Sequence, residues 1–570
     1  MKFRTFITGL VAIAGALLLA GGLVFWQLTA NSPTTLLTRG GQATPLAAQF
    51  IPRQAPLMVS LLARPDRLWS LRQVLTDPDQ RFQTRRDWQT LTQGLKQLSG
   101  LDYDQDLRPW LGSEVTFAVT AADLDKSPSN GQQPGYLLVL TSRKGLEARE
   151  AVHLFWQQRG LAGEELIFEP LSGLTLIYNR PMATVGQPPD TFQSLASTVV
   201  GDRYILIANS PQVLRQAIAT YRAPDVSLAR EAAYRDLLAT LPPERIGWMY
   251  GNLPHTLDWL GLRSSPNALD VSAPGTDLQK FFLSWRITRQ GLIADTALTP
   301  VPGSQFTQPP ESGPKNPLSA LRWLPPETTL ALGGSDLPTL WQTALDSVGG
   351  YGLTTTLNPL ADTLTLGQAD TWPAALPALW TQTARPYALG WLAPQNDWIF
   401  VTEQPTSETN ATAQLDALAQ AQGWGVARLT LDQQPITAWT RLSVAATPGS
   451  EALQLNTQVM AVHTHRAGFE IFATSLPALQ QALETPQVQS LEPLLAEDTT
   501  ALPPGTPVAD VAYIQWPQLR PYLLTRWPGL ALVAQVAQPL TRDFGVFKII
   551  RRQGMPQRQQ AQLEIAWARP

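Results

Sequence analysis

Two periodicities take turns along this chain. In "PLMVSLLA" (56–63), "EVTFAVT" (114–120) and "GYLLVLTS" (135–142), apolar residues come in short, β-rich runs that read as strands. In "RPDRLWSLRQVL" (64–75) and "GLEAREAVHLFWQQRG" (145–160) they recur every three to four residues, as on the buried stripe of a helix, the first opened by a Pro-Asp turn. "ELIFEPLSGLTLIYN" (165–179) predicts a hairpin turning at Ser172-Gly173. "VVGDRYILIANSPQVLRQAI" (199–218) predicts strand, turn, strand and helix, with Ser210 placed to cap the helix and Pro211 in its first turn. A strand-helix unit, "IGWMYGNLPHTLDWL", and an antiparallel pair, "FFLSWRITRQGLIADTALTP", close this block at Pro300.

The same pattern then restarts. "WLPPETTLALGGSDLPTLWQTAL" echoes "FIPRQAPLMVSLLARPDRLWSLRQV", and "VHTHRAGFEIFATSLPALQQAL" (462–483) restates the stretch around Ser210, with Ser475 as cap and Pro477 in the first turn. "VFKIIRRQGMPQRQQAQLEIAWA" restates the closing pair around a shared Arg-Gln-Gly. The matches keep their order, and their offsets drift only between 263 and 272 residues. The expected fold class is therefore α+β: two tandem, diverged copies of a largely antiparallel sheet unit with packed helices, following an N-terminal transmembrane helix. The expected boundaries are 1–30 for a cytoplasmic tip and anchor, 31–49 for a polar tether, and 50–300 for the first repeat. A Pro/Gly-rich linker then covers 301–322 and the second repeat 323–570.

The anchor is expected because Lys2 and Arg4 precede an apolar run from Phe6 to Trp26, with no further charge before Arg39. About 20 apolar residues suffice to span a bilayer, whereas the core of a cleaved secretory signal needs only about 7–15. The basic N-terminus predicts a single-pass signal-anchor with a cytoplasmic tip and the bulk of the chain outside, periplasmic or lumenal, on a plasma or thylakoid membrane. Thr8, Ala12, Ala16 and Ala20 form a small-residue stripe that would allow a weak homodimer.

The stretches "LDYDQDLRPWLGSEVTFAV", "NGQQPGYLLVLTSRKGLEAREAVHLFWQ" and "VGDRYILIANSPQVLRQAI" resemble a family of uncharacterised, mostly cyanobacterial, membrane-anchored proteins carrying a domain of unknown function. The resemblance implies location and architecture, and brings no activity, cofactor or catalytic residue with it.

Composition narrows the chemistry. The chain has 570 residues, 19 Trp and no Cys, so sizeable cores are affordable while disulfides, thiolate metal sites and cysteine nucleophiles are excluded. A net charge of -3 gives no electrostatic footprint for nucleic acid, and Arg551, Arg552 and Arg558 read as a solvated strand face. Asp102, Asp104 and Asp106 have the spacing that opens a calcium loop, but Leu107 and Ser113 stand where that loop needs its Gly and Glu. A polar turn into a strand is the expectation there. His463 and His465 share one strand face, with no third ligand in sight, and read as half-exposed; His153 and His255 read as packing or capping residues. No nucleophile elbow, phosphate loop, zinc-protease motif or dinucleotide fingerprint occurs. No catalytic, metal or cofactor residue is therefore nominated. The expected function is that of a membrane-anchored extracytoplasmic binding or scaffold protein, its partner an unknown protein, lipid or envelope polymer; the alternative is an envelope hydrolase with a carboxylate site. An apolar groove would favour the first, and a pocket with two convergent carboxylates the second.

Overall fold

A computed structural model describes residues 33–76, 78–99, 101–127, 132–179, 195–259, 278–300, 316–338, 340, 385–404, 411–421, 423–446, 453–500, 508–526, 544–552 and 558–567. The anchor with its small-residue stripe and most of the Pro/Gly-rich linker lie outside these residues. Among the described residues no helix is long and apolar enough to cross a membrane. The chain divides into two compact units, Met1–Gly251 with Ser284–Arg289, and Asn252–Leu283 with Gln290–Pro570.

In the first unit the strands are β1 (Leu57–Leu61), β2 (Leu111–Ala121), β3 (Gly135–Ser142), β4 (Leu166–Leu171), β5 (Leu174–Asn179), β6 (Ala196–Val200), β7 (Tyr204–Ala208) and β8 (Gly247–Asn252). They pair antiparallel in the order β8-β1-β2-β3-β7-β6-β5-β4. Its longer helices are α1 (Pro65–Leu75), α2 (Arg81–Ser99), α3 (Gly145–Leu161) and α4 (Pro211–Arg222). The β4–β5 turn uses Ser172 and Gly173, both at positive φ, as the two-residue hairpin requires.

β9 (Leu278–Ile287) is divided between the two units, and β10 (Gly291–Pro300) belongs to the second. The second unit continues with β11 (Leu330–Gly334), β12 (Tyr387–Leu392), β13 (Asp397–Glu403), β14 (Gly425–Leu431), β15 (Gln434–Ala446), β16 (Leu453–Arg466), β17 (Phe469–Ala473), β18 (Val508–Gln515), β19 (Phe544–Arg552) and β20 (Gln559–Trp567). Its antiparallel order is β10-β20-β19-β18-β11-β12-β13-β17-β16-β15-β14. From β18 to β14 this is the order of the first unit with ten added to every strand number. Helices α5 (Ala411–Ala421) and α6 (Leu476–Val488) follow β13 and β17, as α3 and α4 follow β3 and β7.

The two capping serines do the same job in the two units. Ser210 accepts from the backbone N–H of Gln212 at the start of α4, and Ser475 from that of Ala478 at the start of α6. Behind each cap an apolar stripe is buried: Val213, Leu214, Ala217 and Ile218 in α4, and Ala478, Leu479, Ala482 and Leu483 in α6. Replacing either serine by alanine is expected to lower stability by about 1 kcal/mol, read as an earlier urea transition. A change in only one of the two would show that the caps do not play equal parts.

Part of the stretch expected to be a polar tether is fastened to the first unit. Gly41 donates to the Arg245 carbonyl and Gln42 to the Leu62 carbonyl, both at 2.7 Å. A Cβ on Gly41 would stand 2.1 Å from the Leu62 carbonyl oxygen, so only glycine allows this approach. Ala47, Ala48 and Phe50 are fully buried behind it.

Candidate functional site

One face of the first unit's sheet carries Leu111 and Val115 of β2, Leu138 and Leu140 of β3, Ile205 and Ile207 of β7, and Ser197 of β6. The register aligns them into rows: Val115 opposite Leu140, Leu140 opposite Ile205, Leu138 opposite Ile207, and Ile207 opposite Ser197. Helix α3 crosses this face. In its first turns Ala148 shares a buried cluster with Tyr103, Trp110, Leu111, Leu140 and Ile205, and Arg149 donates to the Gly201 carbonyl in the β6–β7 turn. Further along, Trp156 donates its indole N–H to the Ser197 hydroxyl at 2.7 Å, tying the helix to β6.

Between helix and sheet lies a cavity of about 650 Å³, lined also by Trp88, Leu91 and Thr92 of α2 and by residues of the turn from Leu101 to Trp110. That volume is in the range of small-molecule sites, about 300–1,000 Å³. The lining is mostly aliphatic and aromatic, and its polar members are largely committed elsewhere. The Tyr103 hydroxyl donates to Asp66 at 3.1 Å, and burial, together with that carboxylate, pushes its pKa far up, so it stays neutral. Asp106 accepts from the Asp102 backbone N–H at 2.7 Å. Arg159 lies over the Phe155 ring and donates through Nε to Glu164 at 2.8 Å.

In the second unit several positions at the same places in the strand order carry rings, while Thr402 and Glu470 stand where the first unit has Leu140 and Ile205. β13 and β17 set Phe400 opposite Phe472, where β3 and β7 set Leu138 opposite Ile207. The Phe400 and Phe472 rings lie 6.2 Å apart, and His463 stacks on Phe472 at 5.2 Å and lies tilted against Trp439 at 5.3 Å. These residues belong to one buried cluster with Tyr387, Trp391, Trp398 and Leu415.

His463 is therefore not half-exposed, as the sequence suggested, but buried. Its Nε2 meets Asp416 of α5 at 3.0 Å, and the Trp439 indole donates to the same oxygen at 2.8 Å. Burial works against the charged form of Asp416, but these hydrogen bonds outweigh it and hold its pKa below the ordinary value. His465, on the same strand face, is exposed and reaches Glu470 at 3.4 Å. The two histidines have separate carboxylate partners and do not converge. Among the described residues no three His, Asp or Glu side chains come together as a metal site would require. His153 is exposed on α3 rather than packed, and His255 faces Asp258 at 3.9 Å.

The Asp102–Asp106 run forms one wide helical turn just before β2. Asp102 caps it by accepting from the N–H groups of Asp104 and Gln105, and its pKa is lowered chiefly by the hydrogen bond from Lys96. The arginines near the C-terminus are partly buried and paired rather than a solvated face: Arg551 is bound to Asp510, and Arg552 donates to Gln562. Ser197 and Arg159 went unnoticed in the sequence, where a serine in a strand and an arginine in a helix carry no signal.

Fold and cavity together define an α+β protein of packed helices on antiparallel sheet, with an apolar cavity in its first unit. The chain belongs to the family described as "Protein of unknown function (DUF3352)", whose model matches residues 10–561. No curated protein matches it. Among solved structures it is similar to crystal form I of TP0453, at 11% identity over 41% of this chain and 73% of that one. Crystal form III of TP0453 matches at 8% identity over 45% of this chain and 81% of that one. The TM-score is 0.22 in both cases, a level that does not establish a common fold.

Proposed function

We propose that this protein is a non-catalytic binding module that holds an elongated apolar ligand in the cavity of its first unit. The observation that carries this reading is the lining itself, about 650 Å³ of space walled mostly by aliphatic and aromatic side chains, with Asp106 the single carboxylate among its described residues. Hydrolysis by paired carboxylates would need a second one. Burial of an apolar ligand stabilises the complex by roughly 25 cal/mol per Å² removed from water.

The apolar run at Phe6–Trp26 would anchor the module to a plasma or thylakoid membrane, with the bulk of the chain on the periplasmic or lumenal side. The matching strand orders and capping serines support descent of the two units from one duplicated strand-helix unit. On that reading one copy kept its interior open while the other filled it with rings.

The test copies the second unit's filling into the first. The full chain should bind an environment-sensitive naphthylamine dye saturably, and dodecan-1-ol should displace it. The double variant Leu138→Phe/Ile207→Phe should bind the dye at least about tenfold more weakly with an unchanged far-UV spectrum, since the added rings occupy the space a ligand would take. Unchanged dye affinity in a folded double variant would overturn the proposal.

A further inference from the structure

We propose that the ligand is a single-chain amphiphile with a carboxylate head, of the fatty-acid class, and that Arg159 and Ser197 receive that head. This rests on the apolar-ligand reading above and adds an end-to-end polarity that the cavity already has. Among the described residues of its lining, Arg159 is the only basic one and Asp106 the only acidic one. They belong to opposite ends. Asp106 lies in the turn that leads into β2, whereas Arg159 stands in the last turn of α3, three residues beyond the Trp156 that bonds to β6. From Ala148, beside the turn, to Arg159 the helix climbs about 16 Å, and from β2 across β3 and β7 to β6 the sheet spans about 14 Å. Asp106 repels an anionic head from one end, and at the other Arg159, though paired with Glu164, offers it its remaining N–H donors.

The groups at the Arg159 end form a braced set. Glu164 takes the Arg159 Nε and is itself held by the Asn179 side-chain amide at 3.0 Å. The Asn179 carbonyl in turn accepts from the backbone N–H of Leu195, a lining residue two positions before Ser197. Glu164 engages the guanidinium only through Nε, and the planar fork carries four further N–H donors suited to a carboxylate. Ser197 is buried, and its hydroxyl accepts from Trp156, so its own O–H is the hydrogen it can donate to a ligand oxygen. In the second unit the corresponding place on β16 is His463, already answered by Asp416. There the polar node is satisfied within the protein. In the first unit the sheet side of that node is half of a hydrogen-bond pair facing a cavity.

The experiment compares dodecanoic acid with dodecan-1-ol in dye displacement from the full chain, with Leu138→Phe/Ile207→Phe in the same carrier as background. The acid is expected to bind at least about tenfold more tightly than the alcohol, as a charge-assisted contact requires. Arg159→Gln should erase that preference while leaving the alcohol's affinity within about twofold, and Arg159→Lys should keep part of it. Ser197→Ala should weaken both ligands about threefold, because either head oxygen can accept from the hydroxyl. Equal binding of acid and alcohol, unaltered by Arg159→Gln but lost in the filled variant, would overturn the carboxylate inference and leave the apolar reading standing. Displacement no better than in the filled variant would overturn both.

Discussion

Replacing Glu114 by alanine should destabilise the first unit by roughly 3 kcal/mol and release the segment before Ile51. Glu114 is completely buried in β2, yet both its oxygens are occupied. Oε1 accepts from the backbone N–H of Ala47 at 2.9 Å and from the Thr116 hydroxyl at 2.9 Å. Oε2 accepts from the backbone N–H of Leu46 at 2.8 Å and the Gln42 amide at 3.0 Å. Alanine would leave two main-chain donors in a dry site, each costing about 1–3 kcal/mol. Glutamine should recover only part of the loss, because either orientation of its amide sets an NH₂ against a backbone N–H. The readout is hydrogen exchange in a peptide covering 41–50. Protection equal to wild type in Glu114→Ala would show that this carboxylate does not hold the segment.

The same group gives a pH dependence with a definite sign. Burial pushes the Glu114 pKa above its ordinary 4.5, and the four donors only partly oppose this. An acid whose pKa is raised by folding keeps its proton longer in the folded chain than in the unfolded one. Its contribution to stability is therefore complete below pH 4.5 and is lost as pH rises through the folded value. Wild type should lose stability relative to Glu114→Gln across that interval.

Local order was legible where the sequence carried its own punctuation. β3 was read as it stands, Gly135–Ser142, because a continuous apolar run between turn residues has few other folds open to it. The Ser172-Gly173 hairpin and the two serine caps were legible because each depends on neighbours within three residues. What escaped depends on distant partners. His463 is buried because Asp416, 47 residues earlier, answers it, and Arg551 is held by Asp510, 41 residues earlier. The stretch around Ala47 reads as a tether until Glu114, 67 residues on, takes its amides. The cavity escaped for another reason. Leu138 and Phe400 are both simply apolar in a pattern; the difference in volume between them means something only once β3 is registered on β7 and β13 on β17.

Arg551→Ala should destabilise the second unit by about 3–5 kcal/mol, the usual consequence of stranding a buried partner charge. The strand registers lay four residues in one row: Tyr387 on β12 opposite Gly334 on β11, Gly334 opposite Asp510 on β18, and Asp510 opposite Arg551 on β19. Gly334 is what lets the row close. A Cβ there would stand 2.1 Å from Asp510 Oδ1, the oxygen to which the Tyr387 hydroxyl donates at 3.0 Å across the glycine. The other carboxylate oxygen takes both Nε, at 2.8 Å, and one terminal nitrogen of Arg551. Burial raises the Asp510 pKa and Arg551 opposes that rise. Without the arginine the carboxyl would be pushed up further, so the folded variant would favour the protonated acid. Its stability deficit should then be smaller at pH 5 than at pH 8, because below the folded pKa no bare charge is buried. Removing both members, as in Asp510→Leu/Arg551→Met, should restore at least half of the loss, since the pair's desolvation penalty goes with it. Hydrogen exchange of peptides covering β18 and β19 provides the measurement, with Arg551→Ala exchanging at least about a hundredfold faster than wild type at pH 8. A deficit that did not grow with pH, or a double variant no better than the single one, would show that this row is held by packing rather than by its charges.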